Sequence, residues 1–320
     1  ASPFGIAPMG ISALFAYRGD LIMARAAAGA NVPMIMAGSS LIPLESVVEA
    51  APETWFQAYL PGETGKIEAL VARVDRAGVG TLVVTADTAV LANRENNVRA
   101  GFSTPLRPSM RLAWEGMTHP RWTVNTLLRT LLLHGMPHFE NSSAARGAPI
   151  ISPTVTRDFG AKDHLDWSHL ALIRRQWKRT LVIKGIMNPE DARKARDVGA
   201  DGVIVSNHGG RQLDGAVSPL RVLPEIVDAV GANIPVMMDS GIRRGADVLK
   251  AIALGARFVF VGRPFAYAAA VAGEAGVRHA IGILADEVQR NLGLLGLTAI
   301  GEVNRGLLRA RWGHGLKLVQ

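Results

Sequence analysis

The 320-residue chain has no cysteine. That absence removes disulfides, thiolate-bound zinc, iron–sulfur clusters and cysteine nucleophiles together. It fits a cytoplasmic, reducing compartment without requiring one. Aromatic residues make up only 6% of the chain, and its cations are spread along its length. A nucleic-acid surface needs clustered cations interleaved with stacking rings, so no nucleic-acid partner is expected. No uninterrupted apolar run reaches the roughly 18 residues of a membrane-spanning helix. The opening ASPFGIAPMG lacks a charged n-region, so no signal peptide is expected; it reads like the interior of a protein, with an N-terminal segment missing. A GxxxxGK[ST] loop, a strand–GxGxxG–helix unit and an HExxH pair are all missing. Neither a P-loop nor a dinucleotide fingerprint is supported, and no metal is expected.

What is there is globular: 48% hydrophobic, 19% charged, with a net charge of +8. Such a charge suits an anionic partner (phosphate, nucleic acid or a lipid surface) or simply a solvated basic face. Eight short apolar runs recur: PFGIAPM, PMIMAG, WFQAYL, TLVVTAD, LVIKGI, GVIVSNH, PVMMDSG and FVFVGRPF. Stretches of helical spacing lie between them, among them GKIEALVARVDRAG, PEDARKARDVGA and RRGADVLKAIALGA, several ending at Gly. Continuous apolar strands alternating with helices predict a parallel sheet covered on both faces. The count of eight favours a closed (β/α)8 TIM barrel over a doubly wound open sheet. The expected organisation is one domain over 1–320, with a long interval, about 88–167, between strands four and five. Pro105, Pro108, Pro120, Pro137, Pro149 and Pro153 punctuate that interval. Within it WTVNTLLRTLLLHGM predicts an amphipathic or half-buried helix.

Active sites of such barrels sit at the carboxyl ends of the strands. Those ends carry Pro8-Met9-Gly10, Ser39, then Gln57 and Tyr59, then Thr85 and Asp87, then Lys184. His208 and Arg211 follow strand six in SNHGGRQLDG, Asp239 and Gly241 follow strand seven, and Gly262-Arg263 follow strand eight. Each has a plain alternative: Lys184 snorkelling from a strand edge, Asp87 capping a helix, Tyr59 in the core, Asp239 closing a turn, His208 a structural histidine. Their concentration at one end of the barrel favours a functional reading. Glycines and arginines after strands seven and eight mark a phosphate corner, where backbone N–H groups at a helix N-terminus meet an anion.

SNHGGRQLDG, VIKGI, WFQAY, TADTAVLANRENNVRAGF and DSGIRRGADVLKAIALGA, in that combination, resemble the FMN-dependent 2-hydroxy acid dehydrogenases and oxidases. The likeness runs from Phe4 to about Gly301. THPRW and the long interval look closest to the bacterial L-lactate and mandelate dehydrogenases. The resemblance implies FMN as cofactor and oxidation of a small L-2-hydroxy acid, lactate first and mandelate second, with a quinone or oxygen as electron acceptor. An FMN-dependent isomerase of the same barrel type is the alternative. It further implies a base at His208, stabilised by Asp87; a carboxylate clamp of Arg211 and Arg94; a substrate contact from Tyr59; and Lys184 beside flavin N1 and O2. Gln57, Thr85 and Ser39 are implied at the isoalloxazine edge, Pro8-Met9-Gly10 beneath it, and Ser206 beside it. Asp239 is implied at the ribityl chain, with Gly241, Arg243, Gly262 and Arg263 around the phosphate. A homotetramer is implied, cytoplasmic or peripheral to the inner face of the cytoplasmic membrane. LLRTLLLHGM and the arginines at 107, 111, 121, 129, 146 and 157 suit contact with anionic lipid. There are three departures. The N-terminal substrate Tyr is not represented, Met9 replaces a usual Thr, and Leu41 stands where several oxidases have Trp, which implies a different pocket width.

Overall fold

The computed structural model describes residues 2–90, 92–102, 105–152 and 164–309. Pro153 and Arg157 of the interval lie outside the described residues. Eight strands form one parallel sheet: β1 (Phe4–Ile6), β2 (Ile35–Ala37), β3 (Trp55–Ala58), β4 (Thr81–Thr85), β5 (Thr180–Ile186), β6 (Gly202–Val205), β7 (Val236–Met238) and β8 (Phe258–Val261). From β2 to β8 each strand pairs with the next in sequence, and β1 pairs with β8. Between β1 and β2 the circle closes through a single parallel bridge, Ile6 to Met34, with the Ile6 N–H donating to the Pro33 carbonyl at 2.9 Å. The sheet is therefore a nearly closed barrel and not an open doubly wound sheet.

These strands read as unbroken apolar runs because both of their faces are buried. Inward, Ile35, Val83, Val182, Ile204, Met237 and Phe260 fill the barrel. Outward, a second layer meets the helices. A helix follows each strand: α1 (Gly19–Gly29), α2 (Leu44–Ala50), α3 (Thr64–Arg76), α4 (Trp167–Gln176), α5 (Pro189–Asp197), α6 (Pro219–Val230), α7 (Gly245–Ala253) and α8 (Arg263–Leu294). The glycine stops expected from the sequence appear after α3, α5 and α7 as Gly78, Gly199 and Gly255, all at positive φ. α8 breaks at Ala272-Gly273, which the sequence pattern did not foretell.

The interval divides into two parts. Residues 137–152 are stitched to the barrel rim: Asn141 is buried, its side chain bonding the Ile42 carbonyl and the Leu44 N–H at 2.7 and 3.0 Å. Arg73 of α3 forks onto Glu45 at 2.8 Å through two nitrogens and also donates to the Glu140 carbonyl. Residues 110–134 form a surface hairpin instead. Met110–Thr118 is one helix, and a second helical run spans 120–134 with a wide π turn at Thr123–Leu128. It ends at Gly135, φ +72. Trp114, Met117, Leu132 and Leu133 stand exposed on this hairpin. Among the described residues no helix is long and apolar enough to cross a membrane.

The hairpin is seated on the loop after β1. Trp122 Nε1 donates to the Leu14 carbonyl, the Tyr17 hydroxyl meets His134 Nε2 at 2.8 Å, and the Arg129 guanidinium stacks 4.0 Å over the Tyr17 ring. Burial and the nearby Arg18 and Arg129 hold the His134 imidazole below its usual range, which favours the neutral ring. Two of the arginines expected to face lipid are thereby spoken for: Arg129 by Tyr17, and Arg146 by Glu140 at 2.8 Å. Arg121 remains exposed on the hairpin.

Candidate active site

A cleft of about 1210 Å3 opens at the carboxyl ends of the strands. It exceeds the ~300–1,000 Å3 typical of a single small-molecule site, leaving room for a cofactor and a small acid together. Pro8, Met9, Gly10 and Ser39 line it from β1 and β2; Tyr59, Thr85 and Lys184 from β3 to β5; Arg94 from the start of the interval. His208 and Arg211 enter from the β6 loop, Asp239, Gly241 and Arg243 from β7, and Gly262 and Arg263 from β8. Gln57, Asp87 and Ser206 are not on the cleft wall: Asp87 holds His208 and Ser206 holds Lys184 and the His208 N–H, while Gln57 accepts from the Gly38 N–H. Leu41 is buried in the core and does not line the cleft.

The loop SNHGGRQLDG works through backbone conformation. His208, Gly209 and Gly210 all take positive φ (+58, +71 and +71). The two glycines do so without steric cost, whereas His208 is held there against strain. Asn207 Oδ1 accepts from the Gly210 N–H at 2.9 Å and Ser206 Oγ from the His208 N–H at 3.1 Å. The turn delivers His208 Nδ1 to Asp87 Oδ1 at 2.9 Å. A carboxylate only accepts, so Nδ1 carries the proton and Nε2 is left as the acceptor. Nε2 stands 3.5 Å from the Tyr59 hydroxyl.

The network continues in two directions. Buried Lys184 donates to Ser206 Oγ at 2.8 Å and pairs with Asp239 at 3.1 Å. Burial pulls the ammonium down, yet Asp239, Asp87 and Tyr59 outweigh it and raise its pKa above the ordinary lysine value; the lysine stays charged. Ser240, also at positive φ, accepts from the Gly209 N–H and donates to Asp239. On the other side Gln212 donates to the Asp87 carbonyl at 2.8 Å and accepts from Arg94 at 2.9 Å. Sequence reasoning missed Gln212 and Ser240. Each adjoins a residue it had picked, but only folding shows that they join one site residue to the next.

Four arginines line the cleft, and the guanidiniums of three, Arg94, Arg211 and Arg263, crowd one another. Burial, then Arg94 and Arg263, lower the Arg211 pKa. An arginine does not give up its proton at ordinary pH, so this crowding expresses a demand for an anion. Two further polar atoms are orphaned: Gln57 Nε2 and Thr85 Oγ1 are buried without a hydrogen-bond partner among the described residues. Buried polar atoms left unpaired are costly, and a planar polar group lodged against them would satisfy both. Gly10 is keyed to Ser39, since a Cβ there would meet Ser39 Oγ at 2.4 Å. The α7 N-terminus is already satisfied: Asp247 accepts from the Arg243 and Arg244 N–H groups, and Glu287 from Gly245. Gly241, Arg243, Gly262 and Arg263, expected around an anion, all line the cleft.

A family model described as FMN-dependent dehydrogenase matches residues 1–310. The chain belongs to the FMN-dependent dehydrogenase family. It is 42% identical over 312 residues to an L-lactate dehydrogenase of Pseudomonas aeruginosa, covering 95% of this chain and 79% of the relative. An L-lactate dehydrogenase of Xanthomonas euvesicatoria pv. vesicatoria is 40% identical over 316 residues, covering 96% and 79%. Among solved structures, the monotopic membrane protein (S)-mandelate dehydrogenase superposes with a TM-score of 0.83 at 34% identity, over 96% of this chain and 80% of that one. A mandelate oxidase does so with a TM-score of 0.75 at 35% identity, over 95% and 79%. The family member described here is an FMN-dependent 2-hydroxy acid dehydrogenase or oxidase, and the orphaned Gln57 and Thr85 atoms fit its cofactor.

Proposed function

We propose that this enzyme oxidises a small L-2-hydroxy acid, lactate before mandelate, with His208 as the base and Arg211 and Arg94 as the carboxylate clamp. The observation that carries the reading is the shared cleft: the Asp87–His208 pair and three crowded guanidiniums face one space. The clamp binds the carboxylate, its planar donors suiting bidentate pairing. Tyr59 bonds the substrate oxygen beside His208. His208 Nε2, free to accept, takes the substrate proton, and Asp87 stabilises the imidazolium that forms. FMN, when bound, receives the two electrons. Gln57, Thr85 and Ser39, with Pro8, Met9 and Gly10, would hold its ring, and Ser206 steadies Lys184. The Lys184 charge would stabilise the negative charge that develops on the ring. Asp239 would hold the ribityl chain; Arg243 and Arg263, with Gly241 and Gly262, would hold the phosphate. Residues 1–320 act as one FMN-binding domain, and a homotetramer is the expected assembly, checked by mass photometry.

Anaerobic mixing with L-lactate or L-mandelate bleaches the bound flavin on this reading. Protein that folds in FMN-supplemented buffer yet holds no flavin, or whose flavin no 2-hydroxy acid reduces, overturns it.

A quinone is the proposed electron acceptor, met at the membrane surface through the 110–134 hairpin. Exposed Leu132, Leu133, Trp114 and Met117 support this, as does the similarity to a monotopic membrane protein. The hairpin is suited to lying in the interface rather than crossing it. Flotation with anionic liposomes tests the idea. Protein that stays off the vesicles and turns over rapidly with oxygen alone is a soluble oxidase.

A further inference from the structure

β5 does not run straight through the site. Its register against β6 slips between Lys184 and Ile186, and the residue at the slip, Gly185, has φ +99. Glycine reaches that conformation freely, while any L side chain is strained in it. The bare face of Gly185 lies against Asp87. A Cβ on Gly185 would stand 2.7 Å from Asp87 Cβ, 2.9 Å from its Cγ and 2.9 Å from its backbone nitrogen, where ordinary contact begins near 3.4 Å. The strands cannot separate cheaply to relieve this. One residue earlier on each, the Ala86 N–H is tied to the Lys184 carbonyl at 2.9 Å.

We infer that Gly185 is a positioning residue for the His208–Asp87 pair, setting how far the Asp87 carboxylate reaches toward the imidazole. The inference rests on the reading of His208 as the base. Asp87 has little else to fix its carboxylate: Oδ1 meets His208, and Oδ2 is buried without a partner among the described residues. A methyl group at 185 has to move the Asp87 side chain by roughly half an ångström or more to regain ordinary contact. The 2.9 Å bond to Nδ1 is then lost or lengthened, and Nε2 is no longer reserved as the acceptor. Lys184, one residue earlier, is still in register with Ile204 and points into the barrel by ordinary alternation with Val182, so its pairing with Asp239 does not depend on the bulge.

The test compares Gly185→Ala, Asp87→Asn and the double variant as FMN-loaded enzyme, with Gly199→Ala as a strain control. Gly199 has φ +89 but faces Arg174, far from Asp87 in contact terms. Two readouts are taken: flavin reduction by L-lactate and L-mandelate in rapid mixing, and the low-field proton resonance of the His208 Nδ1–H in the resting enzyme, assigned by its loss in His208→Gln. Gly185→Ala is expected to slow reduction about 10²-fold, the cost of misplacing a catalytic group by about an ångström. It also abolishes the resonance, as Asp87→Asn does. The double variant is no slower than the slower single, and Gly199→Ala keeps both rate and resonance. Independent, multiplying effects of Gly185→Ala and Asp87→Asn, or a resonance that survives in Gly185→Ala, overturn the inference. Where Gly185→Ala folds poorly, adding Asp87→Gly removes two of the three short contacts, leaving the φ strain and the contact with the residue 87 nitrogen, and should recover part of the stability lost in urea unfolding; no recovery at all also overturns it. If Asp87→Asn and His208→Gln both reduce at wild-type rates, the base assignment falls instead.

Discussion

The strand ends and the surface hairpin treat polarity in opposite ways. At the ends of β4 to β8, buried Lys184 pairs with Asp239 and half-buried His208 with Asp87, while the Arg94, Arg211 and Arg263 guanidiniums crowd one another. On the hairpin, apolar side chains face outward and the polar contacts serve attachment, as with Tyr17 and His134. Burying a charge costs several kcal/mol unless it is paired, and exposing leucines forfeits burial energy of about 1.5–3 kcal/mol each. A chain that accepts both costs is using each region for something outside itself, chemistry in one and contact in the other. Substitutions in one region should then leave the other's readout alone.

The largest effect is expected at His208. His208→Gln keeps FMN while lowering the flavin reduction rate by about 10²–10⁴-fold, the usual range for losing a general base, and leaves liposome flotation unchanged. A near-wild-type rate would place the base elsewhere. Next is Lys184→Met, which strands buried Asp239 without its ion-pair partner. Urea unfolding should show a loss of about 3–5 kcal/mol; a loss under 1 kcal/mol means that Asp239 relaxes toward water or takes up a proton.

Asp20 sharpens the contrast from within the barrel. It is fully buried, and neither of its oxygens reaches hydrogen-bond geometry among the described residues, although the Ser12 and Ser40 hydroxyls face it. Burial pushes its carboxyl up from 3.8 to about 6, the two serines opposing. A raised acid contributes stability that is present below pH 3.8 and lost as pH rises through about 6. At 1.36 kcal/mol per pH unit, the loss is roughly 3 kcal/mol by pH 8. Asp20→Asn should therefore stabilise the protein by up to that amount at pH 8 and by little near pH 4. Equal effects at both values would show the carboxyl already satisfied. The smallest effect belongs to the hairpin. Leu132→Asp should weaken flotation about tenfold and leave substrate reduction in solution within twofold. If reduction falls as well, the two regions are coupled through the β1 loop.

Much of the strand-end chemistry was legible because its signal is local. A buried parallel strand shows as a run such as TLVVT, and the polar residues at its end and just beyond, Thr85 and Asp87, mark the candidate site. The capping of the α7 N-terminus was not legible, because one of its partners, Glu287, comes from α8, about 40 residues later. Gln212 could be read but not interpreted, since its two partners lie more than 110 residues away. The hairpin's helical run was visible in WTVNTLLRTLLLHGM, whereas its π turn and its seat on Tyr17 depend on contacts that no periodicity encodes.

The barrel's closure also has a meaning in time. β1 pairs with β8, so residues 4–6 must wait for residues 258–261. At a synthesis rate of about 5–20 residues per second, the wait is on the order of ten to fifty seconds. Throughout it the growing chain has no circle to close: β1 lacks its β8 neighbour and meets β2 through only the Ile6–Met34 bridge. The apolar Phe4–Ile6 segment and the leading edge of the sheet stay open to other nascent chains for that time. For this fold the hazardous interval is birth, and a chaperone that shields the first strand until the last arrives should raise the yield of active enzyme more than any stabilisation of the finished barrel.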